Sequence, residues 1–473
     1  MYILNIKRMK ASIYTKYIIG LVAIFLMGCE KMIEIKPPLN ETPSAAIFTQ
    51  DRTALSALSG MYGQLAQITF QTTGLPINTS LMADDLRYLA SVVNLQEFNA
   101  NTYVALTAST EPFTGFYQVI YRANAIIEGL TKYSGTSVAV SKQMLAEAKL
   151  MRAYCYFIMA NFYGAVPLVL QTDVNTTAYQ SRETVANIYK QIITDLNEAK
   201  ANLLADYSFT KGDRIGVNKF TAAALLARVY LYTENYPLAE SNATEVIQAA
   251  NLYSMVPTAT MGTALFVKNS TESIWQLPQP LQATNQYTTE TASFLPSSNT
   301  LTALNFQLRP TFLDIFTGTA DRRRSLWMRD LTIGGSVYVV PAKFKYRTQA
   351  EAVAANVTES QIILRLAEQY LIRAEARVKI NSNINGALSD LNVTRQRAGL
   401  GALTATDPTI LLQEIALEYR KEFFCEQAFR WFNLKRTGQA DAVLSALKPS
   451  WKPEAKFYPI AQSILNTNPN LLQ

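Results

Sequence analysis

The 473-residue sequence contains no histidine and only three cysteines. Histidine is the commonest general base in enzymes and a very common metal ligand. Its absence excludes Ser-His-Asp hydrolysis and histidine-ligated zinc, and leaves only carboxylate, lysine, tyrosine or cysteine chemistry open. We therefore assign no catalytic residue, no metal ligand and no cofactor to this sequence.

Long apolar runs are also absent, since a membrane-spanning helix needs about 20 apolar residues. The short apolar segment at residues 17–25 follows four basic residues and precedes the sequence LMGC, which ends at Cys29. A basic region, a short apolar region and small residues before the cut are typical of a secretory signal. A cysteine at the cut predicts a bacterial lipoprotein, with residues 1–28 removed, acyl chains on Cys29 and a tether over residues 29–50. A single transmembrane anchor is the weaker alternative.

The positive charge of the chain is concentrated in this signal. Removing residues 1–28 lowers the net charge from +7 to +3, because the segment has four basic residues and no acidic ones. The remaining chain has no basic stripe, which argues against a nucleic-acid partner.

The other two cysteines, Cys155 and Cys425, both lie in helical apolar patterns. An exported protein permits a disulfide between them. We favour two buried free thiols, because cysteine packs as a small apolar residue. A nucleophilic role would need a histidine partner.

Apolar residues at helical spacing predict a mainly α protein. Two helix-turn-helix pairs are clear, at 219–250 and 361–398. Two more are plausible, formed by 51–68 with 112–133 and by 141–163 with 182–204. Their size matches a tetratricopeptide unit, which must stack on its neighbours to bury its apolar stripe. The alternative is an irregular helical domain without a true repeat.

Two polar, irregular stretches interrupt this pattern, at 69–111 and 254–360, and a last helix begins near residue 407. Loops on a rigid scaffold usually carry binding. Charged groups that bind hydroxyls and rings that stack on sugars are concentrated in these stretches. The predicted ligand-binding residues are Asp84, Asp85, Arg87, Tyr88, Asn101, Tyr103, Tyr287, Phe294 and Trp327.

Other charged and aromatic residues are predicted to serve the fold. Polar residues on facing helices are expected to bridge the pairs rather than to catalyse a reaction, and the run at 321–324 is expected to tie loops together. Tryptophans in strand-like or helical patterns are expected in the core. The residues concerned are Glu147, Arg152, Arg365, Glu368, Glu375, Trp275, Trp431 and Phe432.

Five motifs in order resemble the SusD/RagB family of surface lipoproteins from Bacteroidetes. They are FTQDRTALSALSGMYGQL at 48–65, FYQVI and ANAII at 116–127, EAKLMRAY through YGAVP at 147–167, RLAE, AEA and NVTRQRAG at 365–399, and YPIAQ with NP at 458–469. The sequence departs from the family at Ala461, where proline is frequent, and at Gln427, where glycine is common.

The resemblance implies a superhelix of four tetratricopeptide-like helix pairs with an irregular, partly β ligand-binding portion. The helical scaffold would comprise about 51–68, 112–250 and 361–398 within a single region at 51–473, with a C-terminal helix and tail at 407–473. The implied protein is lipid-anchored and exposed on the cell outer membrane. It would bind glycan and deliver it to a SusC-like TonB-dependent transporter.

Three alternatives to glycan capture stay open. One branch of the family binds peptides, and a solenoid can also act as a scaffold that binds no small ligand. A glycosidase needs two carboxylates about 5–10 Å apart. Asp84 and Asp85 are adjacent in sequence, so their side chains point in different directions and make a poor acid–base pair.

Overall fold

The computed structural model describes residues 44–277 and 286–472. The predicted signal peptide and Cys29 lie outside the described residues, so their processing and lipidation stay predictions. The chain divides into an N-terminal unit that ends at Ile47 and a second unit that begins at Phe48. The described part of the first unit is a single helical turn, and the rest of this section concerns the second unit.

Helices make up most of the described chain. In chain order they are α1 (Ser44–Ile47), α2 (Asp51–Gln67), α3 (Leu75–Met82), α4 (Val93–Ala100), α5 (Glu111–Lys132), α6 (Val138–Tyr163), α7 (Val174–Thr177), α8 (Val185–Asn202), α9 (Lys219–Tyr232), α10 (Tyr236–Gln248), α11 (Thr289–Phe294), α12 (Pro310–Leu313), α13 (Arg322–Leu326), α14 (Gln349–Ala354), α15 (Leu366–Lys379), α16 (Ile384–Arg397), α17 (Pro408–Phe423), α18 (Phe429–Arg436), α19 (Ala440–Leu447) and α20 (Gln462–Thr467). A π-helical turn spans Phe70–Gly74, and 3₁₀ turns span Ser208–Thr210, Pro453–Lys456 and Pro469–Leu472.

The described strands are short and form three two-stranded antiparallel sheets. They are β1 (Leu86–Tyr88), β2 (Ser273–Gln276), β3 (Phe306–Leu308), β4 (Met328–Ile333), β5 (Ser336–Pro341) and β6 (Ile362–Arg365). The pairs are β1 with β3, β2 with β6, and the hairpin of β4 with β5.

Eight helices form the scaffold as four packed pairs: α2 with α5, α6 with α8, α9 with α10, and α15 with α16. Each pair packs on the next through α5 with α6, α8 with α9, and α10 with α15. The predicted fold class, mainly α with four tetratricopeptide-like pairs and a partly β portion, is confirmed. The first pair encloses the segment between α2 and α5, and a longer segment separates α10 from α15.

Small residues allow these helices to approach closely. Ala222, Ala223, Ala224 and Ala227 of α9 are all fully buried. The same helix begins with a capping box, in which the Asn218 side chain accepts from the N–H of Thr221 and the Thr221 hydroxyl accepts from the N–H of Asn218. This cap fixes the start of the helix.

Buried ion pairs bridge the scaffold helices, as predicted for these polar residues. Arg152 of α6 donates to Asp195 of α8 at 2.7 and 2.8 Å and to Asn124 of α5 at 2.8 Å. Arg228 of α9 donates to Glu368 of α15 at 2.6 Å. Glu375 accepts two bonds of 2.7 Å from Arg436 of α18.

Glu147 lies at another helix contact, where it accepts 2.6 Å and 2.8 Å bonds from Tyr62 and Gln143. Burial raises the pKa of its carboxyl to about 7. Its partners are side chains of α2 and α6, so the carboxyl joins two helices of neighbouring pairs, as predicted.

A central charge cluster joins the inserted segments to the C-terminal helices. Its members are Glu272, Asp321, Arg323, Lys343, Arg365, Arg397, Glu418, Glu422 and Glu426, each at most 8% exposed. Arg365 donates to Glu272 at 2.9 Å, to Glu422 at 2.5 Å and to Glu426 at 2.9 Å. Arg323 donates to Asp321 and to Glu418 at 2.9 and 2.7 Å, which confirms the structural role predicted for residues 321–324.

Neighbouring cations stabilise the ionised form of Glu422 in this cluster. Burial alone would raise the pKa of the Glu422 carboxyl, but Arg397, Arg365 and Arg323 outweigh burial and hold that pKa well below its ordinary value. A buried charge is tolerated when it is paired in this way. The carboxylates of the cluster are therefore occupied by protein cations.

The loop between α17 and α18 explains one departure from the family pattern. Gln427 adopts a φ of 45°, in the left-handed region that glycine enters at little cost. Its side-chain oxygen accepts a 3.1 Å bond from the buried Gln71, and its carbonyl accepts one from Thr79. Glutamine lacks the backbone conformational freedom of glycine, and at this position it makes hydrogen bonds to the segment after α2.

The remaining core predictions also hold. Trp275 and Trp431 are fully buried and Phe432 is 3% exposed. Cys155 and Cys425 are free, buried thiols, as favoured from the sequence. Burial raises the pKa of both thiols, so neither is activated as a nucleophile.

Candidate functional site

The two irregular stretches meet at one short sheet. Leu86, Arg87 and Tyr88 of β1 lie opposite Leu308, Gln307 and Phe306 of β3, in antiparallel register. This pairing brings residues 69–111 and 254–360 together beside the scaffold. Some of the predicted ligand-binding residues lie at this sheet and others lie elsewhere, and most of them are buried.

Asp84 and Asp85 precede β1 and are occupied by arginines. Asp84 accepts bonds of 2.7 and 2.8 Å from Arg430, and Arg420 donates to Asp85 at 2.8 Å. Burial alone would raise the pKa of Asp84, but Arg430 and Arg420 hold it below its ordinary value. These carboxylates fasten β1 to α17 and α18. Ligand contact through them stays a prediction.

Tyr88 and Phe294 meet through a third ring. The ring of Phe306 lies 5.3 Å from that of Tyr88 and 5.9 Å from that of Phe294. Tyr88 and Phe294 are each only 4% exposed, so these rings support the sheet from beneath. A ligand that contacts Tyr88 would require this packing to open.

Asn101 and Tyr103 belong to a separate buried contact with the C-terminal segment. Asn101 ends α4 with a φ of 55° and accepts a 2.5 Å bond from Lys448. The Tyr103 ring lies 5.8 Å from Phe98 and 5.1 Å from Tyr458. Burial lowers the pKa of Lys448 well below its ordinary value, although its amine also donates to two backbone carbonyls.

Trp327 is fully buried and borders the central charge cluster. Its indole N–H donates to the carbonyl of Met261 at 3.3 Å. The Lys343 ammonium lies 4.9 Å from its ring centroid, and the Arg397 guanidinium lies 5.4 Å away. In this conformation the indole faces protein cations and offers no open stacking surface.

Arg87 and Tyr287 are the predicted site residues that reach solvent. Arg87 is exposed between the buried Leu86 and Tyr88, because successive side chains of a strand point to opposite faces. Gln307 lies opposite it in register, on the same outward face. Tyr287 is partly exposed just before α11.

Two threonine hydroxyls form another contact between the two irregular stretches. The Thr289 side chain at the start of α11 is exposed, and its hydroxyl lies 3.2 Å from that of Thr73 in the π-helical turn. We define a candidate ligand face, called the ligand face below, by the solvent-accessible residues Thr73, Arg87, Tyr287, Thr289 and Gln307. Both irregular stretches contribute to it. The period-two alternation along β1 and β3 is the sequence signal that would have selected Gln307, whereas Thr73 and Thr289 carry no such signal.

A small apolar core lies beneath the neighbouring hairpin of β4 and β5. It contains Leu295, Leu304, Leu331, Ile333, Val340 and Ala342. Leu295 directly follows α11, and Leu304 precedes β3. This core therefore holds the segments that carry Thr289 and Gln307.

Over residues 44–277 and 286–472, no helix has both the length and the apolarity needed to cross a bilayer.

Two family models match the chain over most of its length. One, described as "Starch-binding associating with outer membrane", matches residues 48–231. The other, the SusD family model, matches residues 332–473. The chain belongs to the SusD/RagB family. The resemblance inferred from the five motifs is thereby confirmed, and the family consists of binding proteins associated with the outer membrane.

Curated members of the SusD/RagB family match all or part of the chain. SusD-like protein P25 of Formosa agariphila is 23% identical over 529 residues, covering 96% of this chain and 97% of the relative. A SusD-like protein of Bacteroides ovatus is 27% identical over 220 residues, covering 45% of this chain and 38% of the relative.

Solved structures of the family share the fold. A SusD superfamily protein from Bacteroides thetaiotaomicron has a TM-score of 0.77 at 21% identity, covering 89% of this chain and 99% of that one. A SusD-like carbohydrate binding protein from Bacteroides vulgatus has a TM-score of 0.75 at 20% identity, covering 90% and 98%. A laminarin binding SusD-like protein has a TM-score of 0.74 at 22% identity, covering 89% and 98%.

Proposed function

We propose that this protein captures glycan at the cell surface and delivers it to a TonB-dependent transporter of the outer membrane. The observation that carries the proposal is the ligand face. A guanidinium and a hydroxyl are exposed there, and an amide, a second hydroxyl and a phenol ring are partly exposed. This mixture suits sugars, whose hydroxyls bind polar groups and whose C–H faces pack on rings.

Family membership supports the same ligand class. Among the structural neighbours, one is described as carbohydrate binding and another as laminarin binding. The proposal is of binding without catalysis, because the adjacent carboxylates Asp84 and Asp85 are buried against Arg420 and Arg430. That arrangement leaves no open acid–base pair at the ligand face.

Binding is tested by calorimetry with oligosaccharides, and with peptides as the competing ligand class. A shallow polar site is expected to bind with a Kd from micromolar to millimolar, or about −8 to −4 kcal/mol. Arg87→Ala should weaken the binding of the selected ligand about tenfold, as expected for a lost charged hydrogen bond. The matched control is Arg52→Ala on α2, where the arginine is also exposed. A peptide binder and no glycan binder would replace the proposed ligand class.

Delivery and anchoring are separate parts of the proposal. The lipoprotein signal sequence LMGC, which ends at Cys29, and the family association with the outer membrane support delivery and anchoring. Extraction in gentle detergent should recover a larger membrane protein together with this chain.

Cys29→Ala should release the protein from outer membranes or leave it unprocessed. Wild-type partitioning of that variant would overturn the anchor.

A further inference from the structure

Two arginines on the outward side of the sheet of β1 and β3 have no acidic partner. Arg87 is exposed, and Arg309, directly after β3, is partly exposed. Within residues 44–277 and 286–472, neither guanidinium forms an ion pair, whereas Arg420 and Arg430 pair with the aspartates before β1. Arg87 and Arg309 are here named the arginine pair. Each is a cation that is free to bind an anion.

The strand register places the arginine pair on one face. Arg87 lies opposite Gln307, and the backbone N–H of Arg309 extends the pairing by donating to the carbonyl of Asp85 at 2.9 Å. The backbone of Arg309 is extended, with φ −67° and ψ 142°. Arg309 therefore shares the outward face of Gln307 and is the diagonal neighbour of Arg87. Diagonal neighbours lie about 7–8 Å apart, within reach of long side chains.

Neutral acceptors hold the Arg309 side chain. Its guanidinium donates to the carbonyl of Leu86 at 3.0 Å and to the side-chain oxygen of Asn99 at 3.3 Å. These bonds orient the guanidinium and leave its charge uncompensated. Burial and, after it, the nearby positive charge of Arg87 lower the pKa of Arg309. Two like charges this close favour the binding of an anion between them.

The nearest carboxylates do not neutralise the arginine pair. Asp84 and Asp85 act on Arg309 in the opposite direction, because they raise its pKa. Both are buried, and each already pairs with Arg420 or Arg430. Each aspartate is thus balanced by an arginine of the C-terminal helices. The arginine pair therefore adds an uncompensated positive charge to the outward side of the sheet.

We propose that the ligand face binds acidic glycan, with Arg87 and Arg309 holding the carboxylate or sulfate groups of its sugars. A guanidinium donates parallel hydrogen bonds to an oxyanion, and these charged bonds are stronger than bonds to a neutral hydroxyl. Gln307, opposite Arg87, offers an amide to the sugar hydroxyls. This assignment rests on the proposed function, because it names the class of glycan that the same face binds.

The test is calorimetry with matched pairs of ligands. One pair is an oligogalacturonate and the same oligosaccharide after carboxyl reduction, and the other is a carrageenan oligosaccharide before and after desulfation. Laminarin oligosaccharide and polyglutamate serve as a neutral glycan and an acidic peptide. Wild type should bind one acidic oligosaccharide about tenfold more tightly than its neutral counterpart. Added salt should reduce this preference, because it screens exposed charges.

Four variants identify the site of that preference. Arg87→Ala should weaken binding of the acidic oligosaccharide about tenfold. Arg309→Gln keeps an amide donor, removes the charge and should also lower the preference. Gln307→Glu places a carboxylate opposite Arg87 and should lower the preference by providing an internal partner. Arg52→Ala, on α2, removes an exposed arginine elsewhere and should keep the preference of wild type.

The outcomes separate the two proposals. If only neutral glycans bind, or if they bind as tightly as acidic ones, the acidic class is refuted and glycan capture stands. If folded Arg87→Ala and Arg309→Gln keep the acidic preference, the arginine pair is refuted as its site. If polyglutamate alone binds, or nothing binds, both proposals fail. Melting temperatures report folding, and if Arg309→Gln is unfolded, the exposed Arg87→Ala decides.

Discussion

The stacked helix pairs and the segments inserted between them use polar residues differently. In the scaffold, Arg152 and Glu368 bridge helices, as their periodic positions predict. In the inserted segments, Asp84 and Asp85 are residue types that can bind sugar hydroxyls, but both are buried in ion pairs with arginines. Charged residues in an irregular segment can thus be buried in ion pairs, whereas the strand register shows which side chains are exposed.

The largest expected effect is on the contact between the inserted segments and the C-terminal helices. Arg365→Met removes the cation shared by Glu272, Glu422 and Glu426. It also removes the guanidinium that lies 3.9 Å from the Phe423 ring centroid. Breaking a buried ion pair on one side costs about 3–5 kcal/mol. Denaturant unfolding should show a loss of that size.

An exposed pair provides the control for this variant. Arg324 pairs with Asp330 on the hairpin at 2.7 Å, with side chains 31% and 52% exposed. Arg324→Ala should cost less than about 1 kcal/mol, because such pairs are screened by water and salt. Equal losses for the two variants would contradict the role given to the central charge cluster.

The second expected effect separates fold from binding within one segment. Asp84→Asn weakens two charged hydrogen bonds to Arg430 and should cost about 2–3 kcal/mol of unfolding free energy. Arg87→Ala, three residues later, should cost under about 0.5 kcal/mol because its side chain is exposed. Loss of glycan binding by a folded Asp84→Asn protein, with normal binding by Arg87→Ala, would reverse these assignments.

Much of the scaffold was predictable because helical periodicity reports the buried face directly. The Arg152 and Glu375 bridges follow from positions on predicted helices, and the core position of Trp275 follows from its strand-like pattern. The ligand face was predictable only in part. β1 has three residues, and its partner β3 lies more than 200 residues away in sequence. No local pattern shows that Asp84 turns towards Arg430.

A smaller, pH-dependent effect is expected at Glu290, which accepts a 2.8 Å bond from Gln361 within the inserted segment between α10 and α15. Burial raises the pKa of its carboxyl to about 8, against an ordinary value of 4.5. Between these pH values the folded state binds more protons than the unfolded state, so this group's stabilising contribution falls as pH rises.

Glu290→Gln keeps a hydrogen-bond acceptor and removes the titration. Its stability relative to wild type should rise from pH 5 to pH 8, by at most about 1.4 kcal/mol per pH unit. Glu454→Gln, at an exposed position, is the matched control and should show no such trend. A pH-independent difference between Glu290→Gln and wild type would show that the buried carboxyl is ionised throughout.

The most direct test of the account is a parallel titration of one glycan into Arg87→Ala, Tyr287→Ala and Trp327→Phe. The ligand face contains the first two residues, whereas Trp327 is fully buried. The account predicts about tenfold weaker binding for Arg87→Ala and Tyr287→Ala at unchanged melting temperature. It predicts near-normal affinity and lower stability for Trp327→Phe. Normal binding by both surface variants, with loss of binding by a folded Trp327→Phe protein, would contradict it.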